Sequence, residues 1–196
     1  MAKNVFISFR FEDGIGYKNM LAGMFDRFYD TVDFSEDDDR SRLSDDTIRR
    51  YLYTKLRRSS VTIVLLTPHA INHRKNMFGQ YDDWMYDEIR YSLEDREGNQ
   101  SNGLVAVYTP DAAGMLVSEG TASTTVYNVD NLFRKNMMNV KQIYKLNPNP
   151  GVYDGDYDSY CSLVSWNKFT SNIGKYINLA VEKRNMIGHY DIVKRM

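Results

Sequence analysis

The stretch VTIVLLTP, residues 61–68, decides the class of fold. Its residues are apolar in succession rather than alternately, which is typical of a strand buried on both faces of a sheet. Two short β-rich runs precede it, NVFISF (4–9) and TVDFSE (31–36), and GLVAVYTPD (103–111) follows it as another buried strand. The first half of the chain therefore predicts a sheet that is covered on both sides.

Helical patterns separate these strands. YKNMLAGMFDRFY (17–29) has apolar residues at helical spacing, after a break at RFEDGIG (10–16). SDDTIRRYLYTKLRRSS (44–60) has Ser44 as a candidate cap, acidic residues in its first turn and arginines in its last turn, which suits the helix dipole. WMYDEIRYSLED (84–95) is the third helix. Alternating strands and helices predict a doubly wound α/β fold, a flavodoxin-like three-layer sandwich with a parallel sheet in the order 2-1-3-4-5.

The second half of the chain gives weaker signals. We expect residues 112–160 to add irregular or short β structure beside a core of about residues 1–111, with VKQIYKL (140–146) as a late strand. Residues 162–185 have apolar side chains along one side and predict a long closing helix. We find no internal repeat and no convincing boundary, so residues 1–196 are interpreted as a single domain.

Composition excludes several classes of function. The chain has 196 residues, with 25 Lys+Arg against 26 Asp+Glu and a formal net charge of −1. This balance gives no electrostatic reason to expect nucleic acid or an anionic membrane as a partner. The one cysteine, Cys161, rules out an internal disulfide and suits a reducing compartment. Neither a signal peptide nor a membrane span is indicated, so we expect a cytoplasmic protein.

Metal ligation is not expected from the sequence. DGDYDS (154–159) has aspartates at alternate positions, as the start of an EF-hand calcium loop does. Ser159 stands where that loop needs glycine, and Ser165 stands where it needs glutamate. His69 and His73 lie in a loop with no adjacent carboxylate or thiolate to complete a metal shell.

The segment after the first strand argues against two further functions. DGIG (13–16) lacks the spacing of a GxGxxG phosphate loop, so a dehydrogenase is not expected. Glu12 and Asp13 have the placement of acidic residues in a phosphoacceptor receiver domain. That chemistry also needs an aspartate after the third strand, where this chain has Thr67 and Pro68.

Glu88 is the residue that the helical pattern of 84–95 leaves unexplained. At about 100° of rotation per residue, Glu88 falls in the arc that holds Trp84, Met85 and Ile89 and should face the core. An unpaired carboxylate in an apolar setting is costly. One interpretation is that a buried arginine neutralises Glu88 or that its carboxylate caps a neighbouring loop. The other is that Glu88 presents its charge to a ligand at the carboxyl ends of the strands, with Trp84 as a wall. Periodicity leaves both interpretations open.

Three segments, taken together, carry a resemblance to a known family. FISFRFED (6–13), VTIVLL (61–66) and WMYDEI (84–89), in this order and at these intervals, resemble the Toll/interleukin-1 receptor (TIR)-like domain family of the bacterial Thoeris defence protein ThsB. The third segment carries most weight, because W-x-x-x-E recurs in NAD-consuming TIR domains. The resemblance implies that Glu88 is the catalytic residue and that the sandwich is TIR-like.

The resemblance also implies a reaction. NAD would be the substrate rather than a cofactor, and the bond between nicotinamide and ribose would be cleaved without a metal. The ADP-ribose would then be joined to itself, giving a cyclic ADP-ribose isomer. This nucleotide messenger would activate a separate effector during phage infection. A phage-derived trigger and further copies of the chain belong to the expected partners.

The remaining expected site residues lie near the end of the first strand. The resemblance implies that Ser8, Phe9 and Arg10 line the substrate site, with Phe9 stacking on a base and Arg10 meeting the pyrophosphate as a bidentate donor. A buried strand end would contain Ser8 and Phe9 in any case. Trp84 is expected either as a pocket wall or as a core anchor.

Two other classes of function stay open. A nucleoside 2-deoxyribosyltransferase has a related α/β fold and also relies on a glutamate, so it is the rival enzyme. A non-catalytic TIR-like adaptor or sensor is the rival binding module. The 15 tyrosines and the irregular second half would suit partner surfaces.

Overall fold

The computed structural model describes residues 3–28, 31–33, 45–71, 84–95, 100–119 and 124–195. Five of its strands form one sheet and two form a separate hairpin. In chain order the strands are β1 (Lys3–Ser8), β2 (Thr31–Asp33), β3 (Val61–Leu66), β4 (Gly103–Tyr108), β5 (Val117–Glu119), β6 (Thr124–Val126) and β7 (Cys161–Ser165).

Helices connect most of these strands, and two short 3₁₀ turns lie at Gln142–Tyr144 and Ile187–His189. The helices are α1 (Phe11–Phe28), α2 (Asp45–Arg58), α3 (Pro68–Ile71), α4 (Trp84–Leu93), α5 (Ala113–Leu116), α6 (Asn131–Lys135), α7 (Trp166–Ser171) and α8 (Ile173–Asn185).

The large sheet has the order β2-β1-β3-β4-β7, and every neighbouring pair in it is parallel. Counted along the chain, this is the predicted order 2-1-3-4-5. The α/β fold class and the strand order are therefore confirmed. The predicted extension of the second strand to residue 36 and the Ser44 cap lie outside the described residues.

Alternate residues of β3 pack into opposite helical layers. Ile63 and Leu65 belong to the core that includes residues of α1 and α8, whereas Val64 and Leu66 belong to the core that includes residues of α4. All six residues of β3 are buried. The unbroken apolar run at 61–66 is explained by this burial on both faces.

The first helix begins earlier than the sequence suggests. Residues 10–16 were expected to form a break, but α1 begins at Phe11 and includes DGIG. Glu12 and Asp13 in its first turn favour a helix start, because their charges interact well with the helix dipole. Gly14 permits close packing on the preceding strand end, since an added Cβ there would lie 3.1 Å from the Cβ of Phe9.

The last strand is not where the sequence predicts it. Residues 140–146 form no strand; they contain a 3₁₀ turn and a single bridge between Val140 and Tyr190. The fifth sheet strand is β7, which the sequence assigns to the start of the closing helix. The buried ammonium of Lys183 donates to the Ser159 carbonyl and the Ser162 hydroxyl, and so fixes the beginning of β7.

The predicted closing helix is also divided. It starts at Trp166 rather than at residue 162, and it breaks between α7 and α8. Asn172 lies at this break, where its side chain accepts a hydrogen bond from the Lys175 amide and caps α8. A side-chain cap of this kind favours a new helix start over continuation of the old helix.

The segment between β4 and β7 contains short elements: α5, the antiparallel hairpin of β5 and β6, α6 and a 3₁₀ turn. Leu116, Leu132, Phe133 and Tyr160 from this segment are buried in the same core cluster as α4. Irregular and short β structure was expected here. The division of the chain into a core, an insert and a closing helix within a single domain stays a prediction.

Gly103 at the start of β4 lies directly beneath α8. An added Cβ would lie 2.1 Å from the carbonyl oxygen of Ala180, and backbone atoms cannot move away cheaply. We therefore expect Gly103→Ala to lower the free energy of unfolding by roughly 1–3 kcal/mol or more. Gly23→Ala is the matched control, because no atom outside the backbone of α1 lies within 4 Å of its added Cβ. It should raise the free energy of unfolding by about 1 kcal/mol. Denaturant unfolding of both variants checks this, and equal effects would contradict the close packing.

Candidate active site

A crevice is expected between the carboxyl ends of β1 and β3. In a doubly wound sheet, ligands bind where the connections from adjacent strands leave to opposite faces. Here α1 follows β1 into one layer, and α4 follows β3 into the other. β1 and β3 are neighbours in the sheet, with Ser8 and Val64 as register partners near their carboxyl ends.

Ser8 contributes a buried hydroxyl to this crevice. The residue is only 1% exposed, and its Oγ has no hydrogen-bond partner among the described residues. Because Val5 and Ile7 face the α1 layer, alternation along the strand turns Ser8 toward the layer of α2 and α4. Most buried polar groups in proteins are satisfied, so an orphan hydroxyl at a crevice indicates a position for a ligand or a water molecule.

The direction of α4 fixes the level of Glu88. The Ser92 hydroxyl contacts the Thr62 hydroxyl at 2.7 Å, and the Ser92 carbonyl accepts from the Asn102 amide just before β4. The last turn of α4 therefore lies at the amino ends of β3 and β4, and α4 runs antiparallel to them. Glu88 precedes Ser92 by four residues, which is about 6 Å along the helix axis. Val64 follows Thr62 by two residues, which is about 6.6 Å along the strand. Glu88 therefore lies beside Val64 when positions are measured along the strand direction.

The rotation of α4 fixes the direction of Glu88. Viewed down the helix axis, Glu88 points in a direction between the directions of Tyr91 and Ser92. Tyr91 packs toward α2, with its ring 6.2 Å from the Tyr53 ring and beside Phe6 of β1. Since Ser92 faces β3 and Tyr91 faces the side of β1 and α2, half-buried Glu88 is turned toward the end of β1, where Ser8 lies.

The other expected site residues are less closely associated with Glu88. Phe9 is half-buried and packs with the α1 layer, on the opposite face of the sheet, with its ring 6.5 Å from the Phe11 ring. Arg10 is half-buried in the turn between β1 and α1. Trp84 is the first residue of α4, and its side chain lies outside the described part of the chain. Their roles toward a substrate stay predictions.

Asp13 is a functional candidate that sequence reasoning did not retain. One carboxylate oxygen accepts a hydrogen bond from the Thr67 hydroxyl at 2.6 Å, and the other accepts from the His69 amide at 2.9 Å. The first turn of α1 is thereby joined to Thr67, directly after β3, and to the first turn of α3. The sequence signal for Asp13 is an acidic residue directly after the first strand, and this placement alone does not indicate a hydrogen-bonding role.

Tyr17, one helical turn after Asp13, makes a second set of contacts between α1 and the strand ends. Its hydroxyl donates to Asp111 at 2.6 Å, beyond the end of β4, and its ring meets the Trp166 ring edge-on at 4.8 Å. The hydrogen bond to Asp111, together with burial, raises the pKa of the Tyr17 phenol. The same hydrogen bond lowers the pKa of Asp111. No sequence pattern predicts that these side chains meet.

Metal and thiol chemistry receive no support from the geometry. No group of three His, Cys, Asp or Glu residues in the described ranges is arranged to hold a metal ion. In the 154–159 loop, Asp154 accepts backbone amides and Asp156 pairs with Lys175 at 2.7 Å. Cys161 is fully buried, and burial raises the pKa of its thiol. None of the described helices is long and apolar enough to cross a membrane.

The family model described as Thoeris protein ThsB, TIR-like domain, matches residues 6–113, more than half of the chain. The chain belongs to this family. The ThsB TIR-like match confirms the resemblance found in the sequence. It runs from β1 to the first residue of α5 and includes Ser8, Phe9, Arg10, Trp84 and Glu88, whereas β7 and the helices after it lie beyond the match.

Asp13 should matter for stability because its carboxylate accepts two hydrogen bonds. An asparagine keeps one acceptor oxygen but replaces the other with an amide donor. We expect Asp13→Asn to lower the free energy of unfolding by about 1–3 kcal/mol. The neighbouring Glu12 is exposed, so Glu12→Gln should stay within about 0.5 kcal/mol of the wild type. Denaturant midpoints for the pair measure the difference, and an Asp13→Asn protein as stable as Glu12→Gln would refute the bridging role.

Proposed function

We propose that this ThsB-family chain cleaves NAD, releases nicotinamide and joins the remaining ADP-ribose to itself. The product would be a cyclic ADP-ribose-type messenger that activates a separate effector in anti-phage defence. The observation that carries the proposal is the arrangement of Glu88 and Ser8: a half-buried carboxylate turned toward a buried hydroxyl that lacks a partner in the described residues, both at the switch point of the sheet. Family membership supports the same conclusion.

The reaction begins with loss of nicotinamide. The bond between the ribose C1 and the pyridinium nitrogen breaks, and its electron pair neutralises the pyridinium ring. The ribose is left as an oxocarbenium-like cation, as in glycoside cleavage. Glu88 stabilises this developing positive charge and can hold the ribose hydroxyls. The partial burial of Glu88 strengthens the interaction, because the charge is less screened there than in water.

The second step adds an acceptor to the cation. If water attacks C1 and loses a proton, the product is linear ADP-ribose. If a ribose hydroxyl of the same molecule attacks C1 and loses its proton to solvent, or if an adenine nitrogen attacks with its lone pair, the product is cyclic. The internal acceptor has the advantage of high effective concentration, provided that the site folds the substrate and excludes water. In this proposal Ser8 contributes a hydrogen bond that helps to hold the reacting ribose.

One observation favours the non-catalytic alternative. Several large apolar side chains between residues 138 and 157 are exposed, with Ile143 at 81% and Leu146 at 69%. Exposed apolar groups of this size suit contact with a partner protein.

Incubating the purified chain with NAD and with deoxynucleosides separates the three functions. Release of nicotinamide supports the proposal, and release of free base supports a deoxyribosyltransferase. Absence of both products supports an adaptor. Because family members often need an infection trigger or assembly, a negative result should be repeated with concentrated or activated protein.

Glu88→Gln tests the central residue. Glutamine keeps the shape and can still bind ribose hydroxyls, but it has no negative charge. Turnover should fall on the order of 10²–10³-fold, whereas NAD affinity should change much less, because the lost interaction is realised mainly in the transition state. Asp87→Asn is the control on the same helix; Asp87 pairs with Arg90 at 3.1 Å. Nicotinamide release, NAD binding and melting temperature are measured on both variants. Full turnover in folded Glu88→Gln would remove the proposed mechanism.

Ser8→Ala separates a ligand role from a structural one. Because the Ser8 hydroxyl is buried without a partner in the described residues, its removal should leave the protein at least as stable as before. The kcat/KM for NAD should fall roughly 2- to 12-fold, the loss expected for one neutral hydrogen bond. Ser101 is the matched buried serine, since its hydroxyl donates to the Leu93 carbonyl. Ser101→Ala should show the opposite pattern, with lower stability and unchanged kcat/KM. A stability loss with unchanged kcat/KM in Ser8→Ala would contradict the assignment.

A further inference from the structure

Three side chains from separate elements meet beyond the carboxyl ends of β4 and β7. Tyr17 comes from α1, Asp111 from the loop after β4, and Trp166 from the first position of α7, directly after β7. The Tyr17 hydroxyl donates to Asp111, and the Tyr17 and Trp166 rings lie 4.8 Å apart at an angle of 71°. Both rings pack on the core around Phe169 and remain only partly buried.

The chemistry of this cluster suits an uncharged, nitrogen-rich aromatic ring. Two partly exposed aromatic side chains offer surfaces on which a base can stack. Asp111 is exposed, and its carboxylate accepts from the Tyr17 hydroxyl as well as from the Thr109 side chain and its own backbone amide. Because a carboxylate has about four acceptor positions, it can still accept a hydrogen bond from a ligand. The negative charge disfavours a phosphate at this place, whereas an exocyclic amine is a fitting donor.

We propose that Tyr17, Asp111 and Trp166 form the binding site for the adenine base of the substrate. The assignment rests on the proposed function, since it concerns the opposite end of the same dinucleotide. The base would stack on the indole of Trp166, and its amino group would donate to Asp111. Tyr17 is a positioning residue that holds the carboxylate through its hydroxyl.

The position of the cluster matches the length of a dinucleotide. Neighbouring strands are about 4.8 Å apart, so the gap between β4 and β7 lies two spacings, about 10 Å, from the crevice between β1 and β3. A dinucleotide lying across the carboxyl edge of the sheet can therefore place its nicotinamide ribose near Glu88 and its adenine near Trp166. The carboxyl ends of β3 and β4 lie between these two positions.

Binding of half-molecules tests the proposal. AMP and nicotinamide mononucleotide are titrated into the full chain by calorimetry. Trp166→Ala should weaken AMP binding by roughly 5- to 150-fold, the range expected for loss of one stacked base, and should leave nicotinamide mononucleotide binding unchanged. Tyr176→Ala is the matched control, because Tyr176 stacks on Phe169 in the same core at 5.7 Å. It removes an aromatic side chain but should not affect AMP.

Asp111→Asn tests whether Asp111 contacts the base, because a purely structural role would not change the preference for AMP over IMP. The asparagine carbonyl can still accept from the Tyr17 hydroxyl, so folding should be preserved. IMP has a carbonyl where AMP has an amine, and the wild-type carboxylate should therefore prefer AMP. The asparagine of the variant also offers an amide N–H, which can donate to the carbonyl of IMP. The affinities for AMP and IMP should therefore become nearly equal.

The possible results separate this proposal from the proposed function. AMP binding that depends on Trp166 without nicotinamide release would uphold the base site and refute NAD cleavage. If the chain cleaves NAD, but Trp166→Ala changes neither AMP binding nor the KM for NAD, the reaction would be upheld and the base site overturned. A wild-type chain that binds no AMP, or an unchanged preference for AMP over IMP in Asp111→Asn, would also overturn it.

Discussion

The parallel pairing of β1 with β3 is the constraint on which the site depends. It makes Ser8 and Val64 neighbours near the carboxyl edge, while the helices that follow the two strands enter opposite layers. A topological switch point of this kind is where a ligand-binding crevice is expected. The pairing also turns Ser8 toward the α4 layer. A register shift of one residue would replace its hydroxyl with an apolar side chain.

One stripe of α1 holds the rim of this crevice together. Asp13 and Tyr17 are four residues apart and therefore lie on the same side of the helix. Asp13 is hydrogen-bonded to Thr67 and to the first turn of α3, directly after β3, and Tyr17 is hydrogen-bonded to the loop after β4. A helix is stiffer than the loops that it contacts, so α1 fixes the spacing between the two strand ends. A substrate that spans the edge would meet side chains whose separation is set in advance, which lowers the cost of ordering them on binding.

The sequence predicted the fold where local pattern and burial agree. The apolar run at 61–66 and the helical phase of 84–95 identified a strand buried on both faces and the exceptional position of Glu88. The prediction failed at β7 because Leu163, Trp166 and Phe169 have helical spacing, whereas the strand is specified by distant contacts such as Lys183 to Ser159 and Ser162. Asp111 and Trp166 escaped notice for the same reason: 55 residues separate them in the sequence, and only the sheet order brings their strand ends together.

The half-buried position of Glu88 reconciles two opposing requirements. A carboxylate fully exposed to water would stabilise a ribose cation weakly, because the solvent screens its charge. A carboxylate buried completely would lose so much solvation that its ionised form would be disfavoured. Glu88 lies one turn from the start of α4 and is half-buried, which satisfies both requirements. In the proposed reaction, substrate bound beside Glu88 would displace water from its exposed part, so the interaction would be strongest when the cation forms.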